Sequence, residues 1–206
     1  MNKFYLILLV TMISTISYSQ SFFIHSGKNS SKFKFTTPYS AKALNSDIGD
    51  SYAIGHSINI NDTNTDYEIA LTLNKFNPYV GSPESEVRYS LNYLGIDNAI
   101  LYPIIGSSFR SSFILQLRAG LSFNKLISGI ESIEGEIHNV KNFPEFKGLL
   151  FIGTLGLQSK VIVSDDINLS LGYNYGGSLL NTGQVKNESL SVSSHQIVVG
   201  VHFLLH

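Results

Sequence analysis

Six histidines are the residues best suited to metal or acid–base chemistry, and they stand apart in the chain: His25, His56, His138, His195, His202 and His206. None falls at a metal-ligand spacing, and there is no H-E-x-x-H. Asp62-x-Asn64-x-Asp66 resembles the opening of a calcium loop. The sixth position of such a loop should be Gly and the twelfth Glu, but here they are Tyr67 and Leu73. Asn and Asp favour turns, and a turn is the reading adopted for this segment. Serine is abundant, yet no G-x-S-x-G frames a nucleophile. A Ser–His–acid site would have to be assembled from distant residues, and no local signature points to one. The absence of Cys excludes disulfides, thiol chemistry and lipid attachment through an N-terminal cysteine. The sequence therefore offers no catalytic, cofactor-binding or metal motif.

A different set of polar residues is informative through its placement. Asp166 to Tyr175 reads D-I-N-L-S-L-G-Y-N-Y. Ile167, Leu169, Leu171, Tyr173 and Tyr175 alternate with Asn168, Ser170, Gly172 and Asn174. A strand points successive side chains to opposite faces, so this segment has one apolar face and one polar face. Its ten residues match the roughly 9–11 that a tilted strand needs to cross a bilayer.

The same alternation recurs, and the chain reads as eight strands. The first lies within Phe22 to Phe35 and the second spans Tyr52 to Ile60. The third, Asp66 to Phe76, sets Tyr67, Ile69, Leu71 and Leu73 against Glu68, Ala70, Thr72 and Asn74. The fourth starts near Val87, with Tyr89, Leu91 and Tyr93 opposing Arg88, Ser90 and Asn92. It continues past a break near Asp97 to about Ile104. The fifth is Ser112 to Asn124, the sixth about Leu149 to Val163, the seventh Asp166 to Tyr175 and the eighth about Ser194 to Leu205. Apolar faces turned to lipid would leave Glu68, Arg88, Gln116, Arg118, Gln158, Lys160, Gln196 and His202 facing a lumen. An eight-stranded barrel is only wide enough for side chains to fill, so paired charges there plug the interior rather than line a channel. Tyr67, Tyr89 and Tyr175 would sit near strand ends, in an aromatic girdle.

Connection lengths support this fold. Short joints at Asn61 to Thr65, near Gly106-Ser107 and at Ser164-Asp165 alternate with long segments at 36–51, 77–86, 125–148 and 176–193. An outer-membrane barrel with both termini in the periplasm has long outer loops and short inner turns in that order. The fold class is thus all-β, an eight-stranded antiparallel up-and-down transmembrane β-barrel.

Export is expected as well. Lys3, an apolar run from Phe4 to Ile13 and the small residues Ser17 and Ser19 have the layout of a signal peptide spanning residues 1–19. The barrel domain then spans residues 20–206. Charged residues make up only 14% and the net charge is −1, which leaves no basic excess for nucleic acid.

Several segments resemble a known family. Tyr89-Ser90-Leu91-Asn92-Tyr93-Leu94-Gly95-Ile96 is similar to the fourth-strand signature of the eight-stranded outer-membrane β-barrel domain family, the PorT-like group. Phe22-Phe23-Ile24-His25-Ser26-Gly27, Leu171-Gly172-Tyr173-Asn174-Tyr175-Gly176-Gly177 and Val198-Val199-Gly200-Val201-His202-Phe203 resemble its first, seventh and closing strands. The chain departs from the family pattern at Asp97, usually Pro, and at Asn174, often Arg. The resemblance implies the outer membrane of a Gram-negative bacterium, with outer-membrane lipid, the assembly machinery and an envelope protein as partners, and no cofactor. It carries no single established activity. A non-enzymatic structural or surface-interaction role, an accessory subunit of a secretion machine and a soluble lipocalin-like barrel remain open on the sequence.

Overall fold

The computed structural model describes residues 21–36, 41–60, 65–82, 85–106, 111–133, 135–141, 143, 146, 148–179 and 189–205. The expected signal segment lies outside the described residues. So do residues 61–64 and 107–110, which hold most of two expected turns. The strands are β1 (Ser21–Thr36), β2 (Ala41–Asp47), β3 (Gly49–Asn59), β4 (Asp66–Ser82), β5 (Ser85–Ile105), β6 (Phe113–Ile133), β7 (Glu136–Asn139), β8 (Leu149–Ile162), β9 (Ile167–Ser178) and β10 (Ser189–Leu204).

These ten strands make eight staves. β2 and β3 lie end to end between β1 and β4, interrupted at Ile48. β7 pairs only with β6. The sheet closes where β1 meets β10, antiparallel from Ser21↔Leu204 to Thr36↔Ser189. Closure removes the sheet edges, which is what allows strands to cross lipid with every backbone group paired.

Exposure follows the alternation along the lipid-facing stretch of the wall. On β9, Leu169, Leu171, Tyr173 and Tyr175 are exposed, while Asn168, Ser170, Gly172 and Asn174 are buried. Ile24, Ile54, Leu71, Leu121, Leu157 and Val199 extend the exposed apolar band around the barrel. Toward the end away from Ser21 and Leu204 a polar row interrupts the band on β1, β3, β4 and β5. Lys28 stands opposite Asp50, and Lys75 opposite Asn92.

Beyond that row the structure differs from the sequence expectation. Residues 36–51 and 77–86 are not long loops: β2 occupies much of the first, and β4 and β5 stay paired out to Ser82↔Ser85. Within 125–148, β6 continues to Ile133 and returns through β7. Free of lipid, these extensions need not alternate. Their inner faces build an apolar plug of Phe33, Leu44, Phe76, Leu91, Tyr93, Leu126, Val140, Phe146, Leu150, Ile152, Leu190 and Val192. Phe146, which falls within the expected long loop 125–148, is part of it. β5 does not break at Asp97; its irregularities fall at Asn92/Tyr93 and Pro103/Ile105. Its upper half also faces the opposite way to the expectation. Leu91 and Tyr93 are fully buried in the plug and Tyr89 packs against it, with its ring 6.2 Å from that of Phe146.

Candidate functional site

Below the plug, the inward positions of β4, β5, β6 and β8 meet in one ion-pair network. β4 supplies Asp66 and Glu68, two residues apart and therefore on the same face. Lys160 of β8 reaches both, with Nζ 2.7 Å from Asp66 Oδ2 and 3.6 Å from Glu68 Oε1. Arg118 of β6 pairs closely with Asp97 of β5, places Nε 4.0 Å from Glu68 Oε2 and donates from Nη1 to Thr154 Oγ1 at 3.1 Å. Gln116 Nε2 donates to Asp66 Oδ2 at 2.8 Å, and Gln158 Nε2 to Glu68 Oε1 at 3.2 Å. Removing one partner of a buried ion pair leaves an uncompensated charge, so each of these groups depends on its partners across the strands.

A histidine pair lies beside this network. His25 of β1 and His202 of β10 face each other, Nε2 to Nε2, at 3.2 Å. Ser170 Oγ is 3.1 Å from His202 Nε2, and the Phe23 ring stacks on His25 at 4.4 Å. A serine beside a histidine invites a nucleophile reading, but a triad needs an acid to orient the base. His202 Nδ1 is buried and has no hydrogen-bond partner among the described residues. No group of three or more metal-ligating side chains forms among the described residues.

The sequence-derived candidates divide unevenly. Glu68, Gln116, Arg118, Lys160 and His202 lie buried in the lumen. Gln196 is half-buried there and donates to Ser51 Oγ. Arg88 is not in the lumen. Its side chain is 60% exposed on the outer surface, bonded to Glu86 through Nε at 2.6 Å and to Asp47 through Nη1 at 3.2 Å. The Glu86 carboxylate favours its charged form and raises its pKa. The misplacement follows from the inverted face of β5: the apolar residues beside Arg88 point into the plug, not into lipid. The sequence reading placed Ser170 on the inner face of its strand but did not bring Asp66, Asp97 and His25 into the lumen. Parity could have found Asp66 from Glu68.

No protein-family model matches the chain, and no curated protein matches it in sequence. Solved structures do match in fold. The outer membrane protein OprG from Pseudomonas aeruginosa superposes with a TM-score of 0.52 at 10% identity, covering 92% of this chain and 97% of that one. Neisserial surface protein A gives 0.49 at 17% identity, over 89% and 97% of the two chains. Ail, the attachment invasion locus protein of Yersinia pestis, gives 0.46 at 11%, over 90% and 99%. The likeness to OprG shows the fold to be that of an outer-membrane barrel.

Proposed function

We propose that this chain is a non-enzymatic outer-membrane barrel of a Gram-negative bacterium, exported by residues 1–19, with a structural or surface-interaction role carried at its outer end. The observation that carries this reading is the inside-out distribution of polarity. Apolar side chains such as Leu121, Leu157 and Leu169 cover the outside, while Glu68, Arg118 and Lys160 are sealed within. A soluble lipocalin-like barrel needs the reverse, because water outside would leave that band unpaid for by any burial. The wall is committed to lipid and most of the lumen is filled by ion pairs and the plug. What remains free to meet a partner is the outer end beyond the polar row, the extensions of β1, β2, β4 to β7 and β10.

Fractionation with gel migration tests the reading. The expected result is a folded band in the outer-membrane fraction that shifts on heating. Recovery from the soluble periplasmic fraction would overturn it. The finer likeness to the PorT-like group rests on the strand motifs and carries the second reading, an accessory subunit of a secretion machine. Co-purification of secretion components with the tagged protein would favour that role.

A further inference from the structure

Between the ion-pair network and the apolar plug the lumen leaves a chamber of about 70 Å³. A water needs only about 10–15 Å³ of such volume, so several small species fit. Asn29 Oδ1, Thr72 Oγ1 and Asn174 Oδ1 belong to side chains that line it. Each of these atoms is buried and has no hydrogen-bond partner among the described residues. All three accept hydrogen bonds, and leaving them bare in the interior is costly.

Charge is unbalanced in the same place. The network holds three carboxylates, Asp66, Glu68 and Asp97, against two cations, Arg118 and Lys160, which leaves one negative charge in excess. The excess falls on Glu68. Asp66 and Asp97 each have a close cationic partner, while Glu68 has cations no nearer than 3.6 and 4.0 Å. Glu68 also lines the chamber.

We propose that the chamber holds one monovalent cation of sodium type, neutralised by Glu68 and carrying hydration water that satisfies Asn29, Thr72 and Asn174. Waters around a cation turn their oxygens inward and their hydrogens outward, which matches a wall of bare acceptors. A proton on a carboxylate, with water alone on those acceptors, would balance the charge too, but would leave the fold indifferent to sodium. A divalent ion would overshoot the excess. Oxygen donors suit a hard cation.

The test compares the barrel refolded in detergent in sodium chloride with the same barrel in N-methylglucamine chloride at equal ionic strength. The thermal midpoint should be higher in sodium and rise with the logarithm of its concentration. Glu68→Gln and Asp97→Asn each leave two carboxylates facing two cations, so a folded variant should lose this dependence. Crystals of the unmodified protein soaked in thallium(I), a heavy monovalent stand-in, should show an anomalous peak in the chamber. Equal midpoints in the two media, sodium dependence surviving in a charge-neutral variant, or a chamber without a thallium peak would overturn the proposal.

Discussion

The side-chain carbonyl of Asn124 lies over Gly95, its partner across β5 and β6, in the space a Cβ on Gly95 would need. Thr72 Oγ1 closes the same space at 2.9 Å. Asn124 is pinned there, because its Nδ2 donates to Ser122 Oγ at 2.8 Å and to the Leu150 carbonyl at 3.4 Å. Gly95→Ala should therefore cost about 1–3 kcal/mol by overpacking. Asn124→Ala alone should cost about 1 kcal/mol for its lost hydrogen bonds. The double variant should cost less than the sum, since each change removes the other's obstacle. Urea unfolding in lipid vesicles measures all three, and strict additivity would mean that the two side chains do not compete.

The two arginines offered by the sequence as equals should behave very differently. Arg118 is 9% exposed in its side chain and carries Asp97 and part of Glu68. Arg118→Met strands buried carboxylates and should cost about 3–5 kcal/mol. Arg88→Gln breaks only surface pairs and should stay within about 0.5 kcal/mol. Similar losses in equilibrium unfolding would place Arg88 back inside the barrel.

This contrast marks how far the sequence could be read. In β9 the outer face must be apolar and the inner face polar, so Leu169 and Ser170 declare their sides without further information. Above the polar row that constraint lapses. Leu91 and Tyr93 keep the same apolar alternation but bury it in the plug, and alternation cannot say which side of a wall is inside. Asp97 read as a strand break because a lone acid interrupts an apolar run. Its reason is Arg118 on the neighbouring strand, a partner visible only once β5 and β6 are in register. The histidine pair is hidden in the same way, 177 residues apart in the chain and joined by the closing of β1 on β10.

The edge of the lipid band can be tested on a single strand. Leu121 and Ile130 of β6 have similar exposure, 50% and 45%. Leu121 lies within the apolar band and Ile130 beyond Lys125. Leu121→Arg should cost about 2–4 kcal/mol if its site lies near the midplane. Ile130→Arg, in water, should fold as well as the parent to within about 0.5 kcal/mol. Folding yield and urea midpoints in lipid give the answer, and equal losses would move the band edge upward.

Orientation is the last test, and the lack of any Cys makes it clean. Ser21 and Leu204 mark one end of the barrel, and the tight turn at Val163 to Ile167 closes the same end, with Val163 N bonded to the Ile167 carbonyl at 3.0 Å. Lys141, just past β7, is exposed at the opposite end, and Asp165 is exposed in the turn. Short turns belong on the periplasmic side of such barrels and long extensions outside. Single variants Lys141→Cys and Asp165→Cys then report the two sides, with neither residue buried or part of an ion pair among the described residues. A membrane-impermeant maleimide added to intact cells should label Lys141→Cys fully. It should label Asp165→Cys only after the outer membrane is permeabilised. The opposite pattern would invert the barrel and put the plug, the β6–β7 hairpin and any partner they meet on the periplasmic side.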